Sequence, residues 1–199
     1  MTARLKKLIH VFALIVFSLC SYDAAAKQLK SLKSLDEDEI VLVGRVELLP
    51  PLEDFEQNLK TIGSKRYKNV ANFMIGERAV DPENPRLRDN KYVDGVKLGQ
   101  DFFIRRKRTD TFFYSGSMIL TSSVMGGVMD RIVLPGGLKY AIRASDKAVY
   151  IGTFRYHRAD YNAITKLDLL NDFERANKAF IKQFGNGVKL RPRSAVVIK

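Results

Sequence analysis

Short apolar segments that end at turn residues recur through most of the chain, and this pattern favours a fold that is mainly β. The segments are rich in Val, Ile, Phe and Tyr, which suit a pleated, half-buried surface. Turns are marked by Pro50-Pro51 and by Pro135-Gly136-Gly137. The predicted strands cover residues 40–49, 67–78, 101–107, 111–121, 131–133, 138–144, 148–156 and 194–198. This spacing predicts an antiparallel β-sandwich of the immunoglobulin-like or prealbumin-like kind.

Two links between predicted strands are short enough for β-hairpins. Thr109-Asp110 precedes the strand at 111–121, and Ser145-Asp146-Lys147 precedes the strand at 148–156. We therefore expect each of these strands to pair with the strand before it. Residues 81–94 hold two prolines and many charged side chains, and they are predicted to form a long loop.

One segment near the C-terminus has the periodicity of a helix. Its apolar residues recur at intervals of three and four: Phe173, Ala176, Phe180 and Phe184. Asn171 and Glu174 have the spacing of a capping box, and Gly185 stands where a helix commonly ends. The pattern predicts one C-terminal amphipathic helix at about 168–184, with its aromatic stripe packed on a sheet.

Two segments resemble each other within the chain. Residues 41–48 align with residues 149–156, and each has a glycine, Gly44 or Gly152, after an apolar triplet. A glycine inside a strand usually marks a bulge or a close approach of backbones. One hypothesis is that the two strands lie side by side in one sheet; the alternative is chance similarity.

The N-terminus has the layout of a secretory signal peptide. Basic residues are followed by an apolar run from Leu8 to Cys20 and by Ala24-Ala25-Ala26. We predict a signal peptide at 1–26, a polar linker at 27–39 and a single β-sandwich domain at 40–199. Three basic residues and one acidic residue leave with the signal peptide, so the formal net charge of +12 falls to +10.

Cys20 is the only cysteine, and its fate leaves two alternatives open. It is removed with the signal peptide, or it becomes the lipidated first residue of a lipoprotein. Leu19 departs from the small residue that the lipoprotein pattern requires before the cysteine. Under either alternative the folded domain has no disulfide, so its stability depends on its core.

The sequence lacks the residues on which most familiar catalytic sites depend. His157 is the only histidine outside the signal peptide, and Arg155 and Arg158 flank it, so we expect a surface or turn residue without a catalytic role. Metal sites built from Cys and His are excluded by the count, and no cofactor motif is present. Paired carboxylates stay open as an alternative; the closest group is Glu47, Glu53, Asp54 and Glu56.

The strongest binding candidate is a run of four basic residues: Arg105, Arg106, Lys107 and Arg108. Aromatic residues surround this run, which in a cytosolic protein would suggest nucleic acid. Export argues against nucleic acid and favours an anionic envelope surface or lipid head groups. The alternative is that these charges protect an edge strand from aggregation.

The late part of the chain resembles uncharacterised exported or lipid-anchored bacterial β-sandwich proteins. The matching residues are 149–153 and 171–176. The resemblance implies a compartment and a fold, but it assigns no functional residue. We expect a periplasmic or membrane-anchored protein of the bacterial cell envelope that binds a partner protein or an anionic component without catalysis. The alternative is a carboxylate-dependent hydrolase of the envelope.

Overall fold

The computed structural model describes residues 31–32, 35–57, 69–122 and 129–198. The predicted signal peptide, with Cys20, lies outside the described residues. The strands are β1 Glu39–Leu49, β2 Val70–Gly76, β3 Val93–Lys97, β4 Asp101–Lys107, β5 Thr111–Ser122, β6 Met129–Ala141, β7 Ala148–Arg158, β8 Ile164–Leu170, β9 Leu190–Pro192 and β10 Ala195–Val197. The helices are α1 Asp54–Gln57 and α2 Phe173–Phe184, with 3₁₀ turns at Leu87–Tyr92 and Asp160–Asn162.

The strands form two five-stranded sheets, which confirms that the chain is mainly β. The first sheet has the order β4-β1-β7-β8, with β9 beside the start of β7; the second has the order β10-β6-β5-β2-β3. Apolar side chains of both sheets form one buried cluster. Phe73 of β2, for example, contacts Phe102 of β4 and Phe154 of β7, with ring centroids 4.7 and 5.4 Å apart.

The first sheet is not wholly antiparallel, and this part of the prediction is wrong. β7 runs parallel to β1 on one side and parallel to β9 on the other. The other strand pairs are antiparallel. Parallel neighbours need a long connection between them, and here much of the second sheet lies in sequence between β1 and β7.

Both predicted hairpins are wrong. β4 belongs to the first sheet and β5 to the second, so Thr109-Asp110 crosses between sheets. Ser145-Asp146-Lys147 crosses back, from β6 to β7. Packed sheets are only about 10 Å apart. A link of a few residues therefore reaches the facing sheet as easily as the neighbouring strand.

The two similar segments do lie side by side, as the first hypothesis predicted. β1 pairs with β7, and Gly44 lies opposite Gly152 where the register shifts. A Cβ on Gly44 would lie 2.8 Å from the Gly152 carbonyl oxygen and 2.6 Å from the Phe102 ring. Gly152 has a φ of 119°, which few residues with a side chain adopt. The glycines therefore mark a bulge with a close backbone approach.

The C-terminal helix is confirmed, but it begins later than predicted. Residues 164–170 form β8, and α2 starts at Phe173. Asp172, not Asn171, is the N-cap residue, and its backbone N–H donates to the Tyr150 hydroxyl at 2.9 Å. The apolar stripe of the helix packs on the outer face of the first sheet, against Val41, Val43, Phe103, Ala148 and Tyr150.

Two other regions differ from the sequence-based prediction. Pro135-Gly136-Gly137 is not a turn but lies inside β6, where a register shift against β5 accommodates it. Residues 81–94 are not all loop, because they include the 3₁₀ turn and the start of β3. The predicted final strand is confirmed as β10. In the predicted linker, Leu32 and Leu35 pack against the cluster beneath α2.

Candidate functional site

The predicted binding residues Arg105, Arg106, Lys107 and Arg108, here called the basic run, lie at the end of β4. β4 is an edge strand, and its end pairs with the start of β1. Neighbouring side chains of a strand alternate between its faces. The basic run is therefore divided between different environments.

Acidic residues near the start of β1 neutralise the outward part of the basic run. Arg105 forms ion pairs with Asp36 and Glu39, and Lys107 lies 3.6 Å from Asp38. The hydrogen bond from Arg105 lowers the pKa of Glu39, although partial burial opposes this shift. The result is a surface of mixed charge and not a cationic patch.

The other two members of the basic run hold parts of the fold together. Arg106 donates from Nε to the Ile75 carbonyl at 3.1 Å and pairs with Asp94. Both partners belong to the second sheet. Arg108 donates to the Ala144 carbonyl at 2.9 Å, in the link between β6 and β7. These contacts connect β4, the edge strand of the first sheet, to the second sheet and to the link between β6 and β7.

A wide cleft lies at the other end of β1, where the chain leaves the sheet through Pro50-Pro51. Its volume is about 800 Å³, and we call it the tip cleft. Its walls come from α1, the start of β6 and the β7–β8 loop. The lining residues are Pro50, Glu53, Phe55, Glu56, Asp130, Arg131, Arg158, Ala159, Asp160, Tyr161 and Asn162.

Arg158 fixes these walls relative to each other. It donates to the carbonyls of Pro50 and Pro51 at 3.0 and 2.7 Å. It also donates to both oxygens of Glu56, at 2.5 and 2.8 Å, and to Asn162 Oδ1 at 2.6 Å. Burial opposes ionisation of Glu56, but the hydrogen bonds from Arg158 hold its pKa below the ordinary value. The pair is therefore charged at neutral pH.

Tyr161 stands at the tip of the β7–β8 loop. Its side chain is fully exposed, and it and Asn162 have left-handed φ values of 56° and 60°. This conformation costs a residue with a Cβ about 1–2 kcal/mol. The surrounding loop must therefore hold Tyr161 in place, and the bond from Arg158 to Asn162 contributes to this.

A second depression, of about 500 Å³, shares the segment 49–57 as a wall; we call it the arginine groove. Arg45, Glu47 and Arg155 stand at one side of it, in the parts of β1 and β7 that follow the residues covered by α2. Its lining residues are Arg45, Glu47, Leu48, Leu49, Pro51, Leu52, Gln57, Asn69, Leu98, Gly99 and Arg155.

His157 lies within β7 and not in a turn. It bonds to Asp168 of the adjacent β8 at 2.8 Å, and Lys166 contacts the same carboxylate at 2.8 Å. Lys166 first, and His157 next, lower the pKa of Asp168. This three-residue group forms part of the polar face of the first sheet.

The carboxylates considered for a hydrolase are divided between the two depressions, with Glu53 and Glu56 at the tip cleft. Glu47 stands in the arginine groove and pairs with Arg45 and Arg155. Glu56 is held by Arg158, and its low pKa makes it a poor proton donor at neutral pH. Burial raises the pKa of Asp94, but that carboxyl faces Arg106 and lines neither depression.

The sequence matches no protein-family model, no curated protein and no solved structure. Within the described ranges, no cluster of three or more His, Cys, Asp and Glu side chains could hold a metal ion. The helices of that same part are too short or too polar to span a membrane.

The sequence analysis named the carboxylates Glu47, Glu53 and Glu56, which line the two depressions, but it missed the arginines and the tyrosine around them. Arg45 and Arg155 are isolated arginines in two distant strands, and only the pairing of β1 with β7 brings them together. The tip loop had a local signal: the polar stretch 157–163 contains an aromatic residue, Tyr161. A tyrosine in a short polar loop has no core to enter, which points to exposure.

Proposed function

We propose that this chain is an exported protein of the bacterial cell envelope that binds a partner protein through its tip cleft and catalyses no reaction. The observation that carries the proposal is Tyr161, which is fully exposed on a fixed loop beside a cleft of about 800 Å³. Tyrosine is enriched among the residues that dominate binding energy in protein interfaces.

Preorganisation supports this proposal. Binding normally costs free energy to order loops and side chains, and a loop that is already fixed avoids much of that cost. Arg158 fixes the tip loop against α1 and the proline segment. The exposed side chain of Phe55 adds apolar surface at the same cleft. A strained conformation that presents an exposed aromatic residue is typical of functional surfaces.

The charges at the rim favour a partner with basic groups. Glu53, Asp130 and Asp160 line the cleft and form no ion pair with the described residues. Of the described arginines that line the cleft, Arg131 is likewise without an ion pair. Among the described residues the rim is therefore acidic, although the whole chain has a formal net charge of +12. Complementary charge on a partner would guide its approach and its orientation.

The compartment belongs to the same proposal and rests on the N-terminal sequence. We propose that residues 1–26 direct export, and that the two packed sheets form a sandwich of the immunoglobulin-like or prealbumin-like kind. Intact-mass analysis of the protein from membrane and soluble fractions tests export. A chain starting at Lys27 indicates cleavage, a diacylated or triacylated chain starting at Cys20 indicates a lipoprotein, and an unprocessed chain contradicts export.

Photo-crosslinking in the cell tests the binding surface. A photoreactive phenylalanine analogue at position 161 is expected to give a discrete adduct, whereas the same analogue at exposed Leu87, outside the cleft, gives none. The partner identified by mass spectrometry is then purified and its affinity measured by calorimetry. No adduct at position 161 above the level at position 87 would contradict the proposal.

Substitution of Tyr161 separates binding from folding. Tyr161→Asn is expected to weaken partner binding by about tenfold or more, as at other interface hot spots. The free energy of unfolding should stay equal or rise by up to about 1 kcal/mol, because asparagine adopts the left-handed conformation more readily. Unchanged affinity in a folded Tyr161→Asn variant would exclude Tyr161 as the central contact.

A further inference from the structure

The arginine groove combines two cationic groups with an apolar floor. Glu47 lies between the two arginines: its Oε1 is 2.8 Å from Arg45 Nε, and its Oε2 accepts from Arg155 Nε at 2.9 Å. One carboxylate thus contacts both guanidinium groups, but only Arg155 Nε donates a hydrogen bond to it, because Arg45 Nε has no hydrogen-bond partner among the described residues. The group keeps one net positive charge.

The terminal nitrogens of both arginines remain available to a ligand. Within the described residues, the Nη atoms of Arg45 and Arg155 donate no hydrogen bond, and the closest contact of each arginine with Glu47 is through Nε. Their side chains are 25% and 38% exposed, so they are partly shielded from water. Guanidinium groups bind carboxylates and phosphates through paired N–H donors. The side of the groove formed by Arg45 and Arg155 is therefore suited to one anionic group.

The floor of the arginine groove is an end of the main core. Leu48 and Leu52 belong to the buried cluster between the sheets, and Leu98 packs against it. All three line the groove, together with the half-exposed Leu49. Its volume of about 500 Å³ is within the range of small-ligand pockets. The apolar floor is suited to a hydrocarbon chain, and the cationic side is suited to an anionic head group on the same ligand.

We infer that the arginine groove binds a single-chain anionic amphiphile, with its carboxylate or phosphate head on the Nη atoms of Arg45 and Arg155 and its chain along Leu48, Leu52 and Leu98. The occupant is a single molecule and not a bilayer surface, because the arginines are partly buried beside a concave depression that a flat membrane would not fill. This inference is independent of the proposed function, because it concerns another site.

Calorimetry with soluble probes tests this inference. The probes are decanoate, decyl phosphate and decyltrimethylammonium, each used below its critical micelle concentration. Decanoate and decyl phosphate are expected to bind with one-to-one stoichiometry, and decyltrimethylammonium is expected not to bind. Equal binding of the cationic probe, or binding to phosphatidylglycerol vesicles without binding of the soluble anions, would overturn the inference.

Substitutions locate the binding site. Leu49→Glu places a negative charge at the groove on a half-exposed residue, and Arg155→Gln removes one cation. Each is expected to weaken decanoate binding by about tenfold, as for the loss of one charge-assisted contact. Lys107→Gln is the matched control, because it removes one charge about 20 Å away along β4, at about 3.4 Å per residue.

The outcomes of the substitutions are distinct. Equal weakening by Lys107→Gln would show attraction to overall charge and would overturn the inference. Thermal unfolding of each variant confirms that it is folded, and Leu49→Glu remains informative if Arg155→Gln is unstable. Retained decanoate affinity in folded Leu49→Glu would also overturn it. Tyr161→Asn should bind decanoate with unchanged affinity. A failure of this inference can therefore be distinguished from a failure of the proposed partner binding at the tip cleft.

Discussion

A single guanidinium group, that of Arg158, bonds to three segments at one end of the molecule: the Pro50-Pro51 segment, α1 and the β7–β8 loop. It reaches two proline carbonyls, the carboxylate of Glu56 and the side chain of Asn162. The carbonyls of Pro50 and Pro51 follow the end of β1 and, among the described residues, accept no hydrogen bond from a neighbouring strand. The planar guanidinium group has several N–H donors and can bond to both carbonyls at once. Lysine has the same charge but cannot reproduce this geometry.

Arg158→Lys is therefore expected to lower the free energy of unfolding by about 3 kcal/mol, as for a disrupted buried ion pair. Urea denaturation at pH 7 measures this change. Arg131→Lys, at an exposed arginine without an ion-pair partner in the described residues, is the control and should change stability by less than about 0.5 kcal/mol. A loss below about 1 kcal/mol in Arg158→Lys would mean that charge, and not geometry, holds the segments.

At the scale of elements, the contact between β1 and β7 depends on two glycines that face each other. A side chain on Gly44 would meet backbone, and one on Gly152 would meet Leu169. The bulge at this point shifts the register so that Arg45, Glu47 and Arg155 fall on the same outer face. The arginine groove therefore depends on this local irregularity.

Gly152→Ala is expected to cost at least about 1–2 kcal/mol of unfolding free energy, because alanine at a φ of 119° is strained. The same urea titration measures the change. Gly187→Ala is the control, since its Cβ would meet nothing within 4 Å, and it should be nearly neutral. Equal stability of Gly152→Ala and wild type would show that the bulge relaxes without cost.

The attachment of α2 to the first sheet gives a prediction at the same scale. Phe180 is fully buried and contacts Phe103 and Phe184, so Phe180→Ala should lower the free energy of unfolding by about 3–5 kcal/mol. Ile181→Ala is the matched control, because the neighbouring Ile181 is 39% exposed, and its cost should be below about 1 kcal/mol. Similar losses in both variants would contradict the packing of this helix face.

The elements could be predicted from the sequence more readily than their partners. Short runs rich in Val, Ile, Leu and Phe predicted β1 and β4, and the matching glycines led to the hypothesis that β1 and β7 are neighbours. The links at Thr109-Asp110 and Ser145-Asp146-Lys147 misled, because turn residues do not encode which sheet the next strand joins. β8 was partly absorbed into the predicted helix, since Leu169 and Leu170 fit both periods. Neither arginine of the groove has a local signal.

Across the whole molecule, charged groups connect segments that are distant in sequence. Asp146, in the link between β6 and β7, accepts three hydrogen bonds from Arg193, near the C-terminus, at 2.8, 2.6 and 2.5 Å. Burial opposes ionisation of Asp146, but these bonds and the Arg143 backbone N–H lower its pKa. A lowered pKa means that the native state binds a proton less readily than the unfolded chain does. Stability is therefore lost as the pH falls.

Asp146→Asn tests this linkage. The variant should be less stable than wild type at pH 7, and the difference should shrink as the pH falls below the ordinary aspartate pKa of 3.8 towards the lower native value. Urea denaturation at pH 7 and pH 3 measures it. Asp160→Asn, at an exposed carboxylate, is the control. A difference that stays constant between the two pH values would contradict the linkage.

The parallel pairing of β1 with β7 also determines when the molecule can assemble. Glu47 and Arg155 are 108 residues apart, and the short links between β4 and β5 and between β6 and β7 both change sheet. During synthesis from the N-terminus, β1 therefore lacks its neighbour β7 until most of the sequence is available. Folds dominated by such distant contacts are slow to form. The edge of β1 that later pairs with β7 is exposed during synthesis, and exposed strand edges promote aggregation. A chaperone that covers this edge would therefore raise the yield of folded protein.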